Sequence, residues 1–179
     1  MGTRRHKGRK DLIGEHTTGD AGQVLFALLF IITYITDSFF LRYSIFLNDI
    51  VPVFIRIPIG ILLLILSGYF SMTGLKIVFD EVREKPEVIR KSVFGIVRHP
   101  IYLGEILAYL GLLLFSISLI SAFVWLLTYV FLHYIARHEE KLLVDHFGEE
   151  YKTYMEEVPM WLPKIGSLFR NKKQISNKK

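Results

Sequence analysis

The chain has 179 residues, of which 51% are hydrophobic and 22% charged, with a mean hydropathy of +0.37. Its charges fall in blocks and its apolar residues in long runs, which excludes an ordinary soluble globule and points to an all-α integral membrane protein. With no cysteine, disulfides, thiolate nucleophiles and zinc-thiolate sites are excluded, and the net charge of +5 does not indicate nucleic acid, because the basic residues flank the apolar runs.

A helix needs about 20 residues to cross a bilayer core of about 30 Å, and four stretches approach that length. The first, about 22–41, holds one charge, Asp37, near its far end. The second, about 52–75, has Arg56 near its start and prolines at 52 and 58, where a helix start or a kink is tolerated. The third, about 101–120, carries Glu105, and the fourth, about 121–136, is short. With almost no polar linker between them, the last two are expected to form a tight hairpin that turns near Ile120. The first run lacks an obvious processing site and three more follow it, so a cleavable signal peptide is not expected.

Four crossings put both termini on one side, and charge tests this independently. All of the 22 Lys and Arg residues except Arg42 and Arg56 fall in residues 1–20, 76–100 or 137–179. By the positive-inside rule that face is cytoplasmic. The expectation is a single membrane domain over 1–179, with cytoplasmic cofactor-binding segments at 76–100 and 137–165 and a frayed polar tail at 166–179. In the C-terminal segment Leu142, Leu143 and Phe147 have helical spacing, Gly148 suits a helix C-cap, and Pro159 and Pro163 end any second helix.

Polar residues gather at two points. In VRHPIYLGE, Pro100 suits a first helical position, so free backbone N–H groups and the positive end of the helix dipole lie beside Arg98 and His99, an arrangement that suits an anion. Tyr102, Glu105 and Tyr109 follow on one helix face. Interfacial anchoring, an aromatic belt and helix pairing explain the same residues singly. In HYIARHEEKLL, His133, Arg137 and Glu140 share a helical arc, with Glu139 about 100° around, and acidic groups at a membrane exit suit a cation or pair with nearby bases. A hairpin brings both points to the same end of adjacent helices. His133, His138 and His146, with the neighbouring carboxylates, are candidate metal ligands, but HExxH is broken by Leu142, so no metal is expected.

The ordered set RHPIYLG at 98–104 and EEKLLVDHFGEEYKTYMEEVPMWLP at 139–163 resembles the isoprenylcysteine carboxyl methyltransferase family, related to the phospholipid methyltransferases. The resemblance covers about the last 80 residues; the first two helices match in hydropathy alone. One departure is upstream, where Ser92, Val93 and Phe94 stand in place of a Gly-Pro-Tyr turn. The resemblance implies an S-adenosylmethionine-dependent membrane methyltransferase, with cofactor contacts from His99, Tyr102, Gly104, Glu139 and Glu140. The acceptor it implies is an isoprenylcysteine carboxylate, oriented by Arg98 or Arg137, whereas an amine acceptor would ask Glu140 to handle a proton. The implied partners are membrane lipids and a lipid-like or prenylated substrate, with no nucleic acid. Alternatives are a phospholipid or amine N-methyltransferase, a sterol or isoprenoid reductase-like enzyme, and a non-enzymatic membrane subunit or transporter.

Overall fold

The computed structural model describes residues 17–80 and 85–162. The basic residues of 1–16, Pro163 and the tail at 166–179 lie outside the described residues. Five helices follow one another: α1 (Thr17–Ile35), α2 (Val53–Leu75), α3 (Pro100–Phe115), α4 (Leu119–Phe147) and α5 (Glu149–Glu157), and there is no strand among the described residues. π-helical stretches extend α1 over Thr36–Leu41 and α2 over Lys76–Asp80. Three apolar helical spans, Ala21–Leu41, Val53–Asp80 and Leu119–Phe147, are long enough to cross a membrane. At 16 residues α3 is about 24 Å long, shorter than the bilayer core.

The spans turn large apolar side chains outward, Ile65 at 63% and Met72 at 73% exposure among them. A soluble helix of this composition would bury such a face, so the exposed surface is a lipid-facing one. The chain is an all-α integral membrane protein.

The hairpin differs from expectation in where it turns and how far it extends. The third helix, expected over 101–120, ends at Phe115, and the fourth, expected over 121–136, runs from Leu119 to Phe147. Ser118 causes the early break: its hydroxyl accepts the Ser121 N–H at 3.1 Å and caps α4, an alternative to continued helix that serine offers locally. α4 then continues through ARHEEKLLVDHF because leaving the membrane does not end a helix; Gly148, at φ 57°, does. The segment after the fourth run is therefore the second half of one helix before it is anything else.

α2 and α3 pack antiparallel along a stripe of small residues. A Cβ added at Gly104 would lie 2.0 Å from Ser71 Oγ and 2.9 Å from the Ser67 carbonyl, and one at Gly111 would lie 3.1 Å from the Gly60 carbonyl. Close backbone approach of this kind drives helix association in lipid, where apolar surface alone gives little. α1 lies against α4 through Gly22 and Phe131, and reaches α3 where Phe30 stacks on Tyr109 at 4.3 Å. These pairings send the chain four times between two ends.

One end is closed by polar ties that the sequence did not reveal. Buried Asp37 accepts the N–H groups of Tyr43 and Ser44 at 3.0 and 3.1 Å and the Ser44 hydroxyl at 2.5 Å. Ser44 in turn accepts Leu119 N–H on its carbonyl and Ile120 N–H on its hydroxyl. Asn48 Oδ1 accepts from Ile117 N–H and from buried Arg56. The 42–52 connection is thereby fastened to the α3–α4 turn.

Candidate functional site

At the other end, the segment before α3 is anchored by Val93 and Val97, both fully buried. Ser92, the first residue that replaces the expected Gly-Pro-Tyr turn, takes φ 52°, a region glycine occupies without strain, and the segment still turns through a 3-10 stretch at Ser92–Gly95. Arg98 N–H donates to the Pro159 carbonyl at 3.0 Å, and the Tyr154 hydroxyl to the Phe94 carbonyl at 2.7 Å, so α5 and the residues after it fold back onto this segment. Arg90 adds bonds to the Glu150 carbonyl and Glu157.

The two sequence clusters meet. Arg98 Nε donates to Glu140 Oε1 at 2.6 Å, and its Nη1 to the carbonyls of Met155 and Val158 at 2.9 and 2.6 Å. His99 Nε2 lies 3.2 Å from the same Glu140 oxygen, while its Nδ1 lies 3.7 Å from Glu139 Oε2. The Tyr102 hydroxyl donates to Glu139 Oε1 at 2.5 Å, and the Tyr102 ring stacks on His99 at 5.6 Å and 2°. Both glutamates thus face the start of α3, Glu140 at its first residues and Glu139 one turn along.

Helix rotation decides which α4 residues take part. Leu132, Ala136 and Glu140, spaced by four, form its buried stripe, with Glu140 only 2% exposed. Arg137 stands about 100° from that stripe, exposed, and contributes no described bond to the cluster. Gly104 is buried against Ser67 and Ser71, where it serves the α2–α3 contact. Glu105 accepts the Tyr109 hydroxyl at 2.7 Å and stands apart from this cluster.

Trp161, quoted in the C-terminal motif and given no role there, is a central member. Its indole N–H donates to His133 Nδ1 at 3.1 Å, which leaves that nitrogen as an acceptor. Trp161 lies 5.9 to 6.2 Å by ring centroid from Tyr129, His133 and His99, bridging α4 to the start of α3. An aromatic residue two positions after a VP pair, beyond an acidic helix, is the sequence signal that was available. Tyr151 and Tyr154, given no role in the sequence reading, are buried behind this cluster where α5 packs. Burial pushes both phenols up, and the Glu140 charge adds to the rise at Tyr151, so both stay protonated and neutral.

One atom in the cluster has no internal explanation. Glu140 Oε2 is buried and makes no hydrogen bond to the described residues, while Oε1 takes Arg98 and His99. A buried carboxylate oxygen without a donor is costly, and it fits a ligand cation such as an ammonium group. Beside it lies the start of α3, whose positive dipole end suits a carboxylate. The site has the two charges that a zwitterionic amino-acid moiety requires.

An all-α membrane scaffold with an acidic pair held against a helix start defines the class. The chain belongs to the phospholipid methyltransferase family, whose model matches residues 55–150, a stretch that contains RHPIYLG and both glutamates. It is similar to the methanethiol S-methyltransferase of Pseudomonas sp. (strain GM41(2012)), 36% identical over 118 residues, covering 59% of this chain and 42% of that one. The proteins of the same description from Crocosphaera subtropica (strain ATCC 51142 / BH68) and Pseudomonas deceptionensis are 32% and 29% identical, each over 56% of this chain and over 40% and 39% of their own. The chain therefore spans about two fifths of the length of these relatives. No solved structure matches it.

Proposed function

We propose that the protein is an S-adenosylmethionine-dependent methyltransferase, acting at the cytoplasmic face of the membrane on a lipophilic acceptor. The observation that carries this is the buried, unpartnered Glu140 Oε2 beside His99 at the start of α3. Glu140 and Glu139 would hold the donor's ammonium and the α3 N-terminus its carboxylate, with Tyr102 and His99 orienting Glu139. When bound, the donor supplies a methyl group on a sulfonium leaving group, and its transfer asks the protein for positioning and exclusion of water.

Arg98 acts here as a positioning residue, because its guanidinium already serves Glu140 and two carbonyls. Trp161, fastened to His133, closes the side of the site toward the fourth helix. Family membership supports methyl transfer, the position of most basic residues supports the cytoplasmic assignment, and the lipid-facing helices support an acceptor that arrives from the bilayer.

The acceptor we favour is a thiol. The relatives' names support it, and so does the engagement of Arg98, since a carboxylate acceptor needs a free cation to face it. The second reading is an isoprenylcysteine carboxylate, which the order of RHPIYLG, EE and VPMWLP favours; Arg137 would then be its cation. Purified protein is incubated with methyl-labelled S-adenosylmethionine and, in parallel, an alkyl thiol, a prenylcysteine and phosphatidylethanolamine. Label in the thiol is expected; label in the prenylcysteine alone moves the assignment to the second reading, and failure to bind S-adenosylhomocysteine in calorimetry ends the proposal.

A further inference from the structure

α3 carries one carboxylate, and the site above does not use it. Glu105 lies one turn deeper than Tyr102, half-buried on the same helix face. It accepts the Tyr109 hydroxyl at 2.7 Å, and its side chain also bonds Gln23 of α1. Among the described residues it has no cationic partner, in contrast to Glu140, which is paired with Arg98.

A charge inside an apolar helix is costly, and two neutral donors replace only part of the hydration it loses. If Glu105 served only to tie α3 to α1, a glutamine could bond the same two residues without that cost. The surroundings point to chemistry at this depth. Tyr109 is held by its stack on Phe30, and α1 reaches α3 there through long side chains, Phe30 to Tyr109 and Gln23 to Glu105, beside an outward apolar surface.

We infer that Glu105 is the proton acceptor for a lipophilic thiol that enters along the seam between α1 and α3, an assignment that rests on the methyl-transfer reading above. An alkyl thiol is mainly protonated at neutral pH, whereas the thiolate is the nucleophile. The S–H bond breaks and its proton passes to the Glu105 carboxylate; the freed pair forms the new S–CH3 bond. The bond from the methyl carbon to the donor sulfonium breaks, its electrons stay on that sulfur, and the donor leaves as a neutral thioether. Tyr109 and Gln23 hold the carboxylate in position for the proton.

The test compares Glu105→Gln with the wild-type full chain in nanodiscs, using butanethiol and a fluorinated aromatic thiol that is already ionised at the assay pH. S-adenosylhomocysteine affinity by calorimetry reports folding and the donor site separately. Glu105→Gln is expected to keep that affinity within about twofold, to lose about 100-fold in kcat with butanethiol, and to lose less than about tenfold with the ionised thiol, the range a general base contributes. Equal losses with both thiols, or no loss with either, overturn the assignment. A wild-type protein that binds S-adenosylhomocysteine and methylates prenylcysteine but neither thiol overturns both this assignment and the thiol reading. A wild-type protein that binds no S-adenosylhomocysteine overturns the methyl-transfer reading itself.

Discussion

Arg98 Nε stands 2.6 Å from Glu140 Oε1, joining the residue just before the α3 cap to a position two turns from the end of α4. Both side chains are buried, and the same guanidinium fastens the carbonyls of Met155 and Val158. Removing one partner of a buried pair leaves the other charge uncompensated, so Arg98→Ala is expected to lower stability by about 3 to 5 kcal/mol. Glu140→Gln is expected to cost less, because an amide oxygen still accepts from Arg98 and the guanidinium keeps its bonds to the Met155 and Val158 carbonyls. Its loss appears instead in ligand binding: S-adenosylhomocysteine affinity falls more than about tenfold, as a charge-assisted bond is lost. Thermal unfolding in detergent and calorimetry separate the two effects, and equal unfolding losses with unchanged affinity would remove Glu140 from the site.

Trp161 gives a graded pair of variants. Trp161→Phe keeps a ring beside Tyr129 and His99 but loses the donor to His133, at a cost of about 1 kcal/mol. Trp161→Ala also removes the ring, and S-adenosylhomocysteine affinity is expected to fall further than with Phe. Identical affinities for wild type and Trp161→Ala would mean that the indole is no part of the ligand's surroundings.

Gly104→Ala tests helix packing directly under the site. Its new methyl would meet Ser71 Oγ at 2.0 Å and the Ser67 carbonyl at 2.9 Å, so α2 and α3 must separate. Overpacking of this kind costs about 1 to 3 kcal/mol. A lowered unfolding temperature is expected, with Ser71→Gly in the same chain restoring only part of it because the Ser67 backbone remains in the way.

Asp37 provides the control at the opposite end. Asp37→Ala strands the Tyr43 and Ser44 N–H groups and is expected to destabilise the protein by about 2 to 4 kcal/mol. S-adenosylhomocysteine affinity of the folded fraction should match wild type, since the two ends share no described bond. A selective loss of affinity would reveal coupling along the helices.

The helices were legible because a run of apolar residues records its own preference for lipid, residue by residue, and that preference needs no partner. The joint between the third and fourth runs was not. No proline or glycine interrupts the sequence from 112 to 136, so the turn was expected near Ile120, and only the cap that Ser118 makes on α4 moves it to 116–118. The apolar run ends at 136, whereas intrinsic helix preference carries α4 eleven residues further, to Phe147.

The membrane character, the ordered motifs and the meeting of RHP with the glutamate pair could all be read from residue order, since a short hairpin leaves those residues no other end to occupy. Helix packing is what turns Glu140 inward while Arg137 stays exposed, because one residue's step around α4 is about 100° and hydropathy at a membrane exit does not fix the rotation. Packing also decided that Trp161 returns to His133 and that Arg98 reaches the Met155 and Val158 carbonyls, contacts spanning 28 to 60 residues that depend on the reversal at Gly148 and the docking of α5. Local transfer free energy is written along the chain, whereas these pairings exist only once the helices have packed.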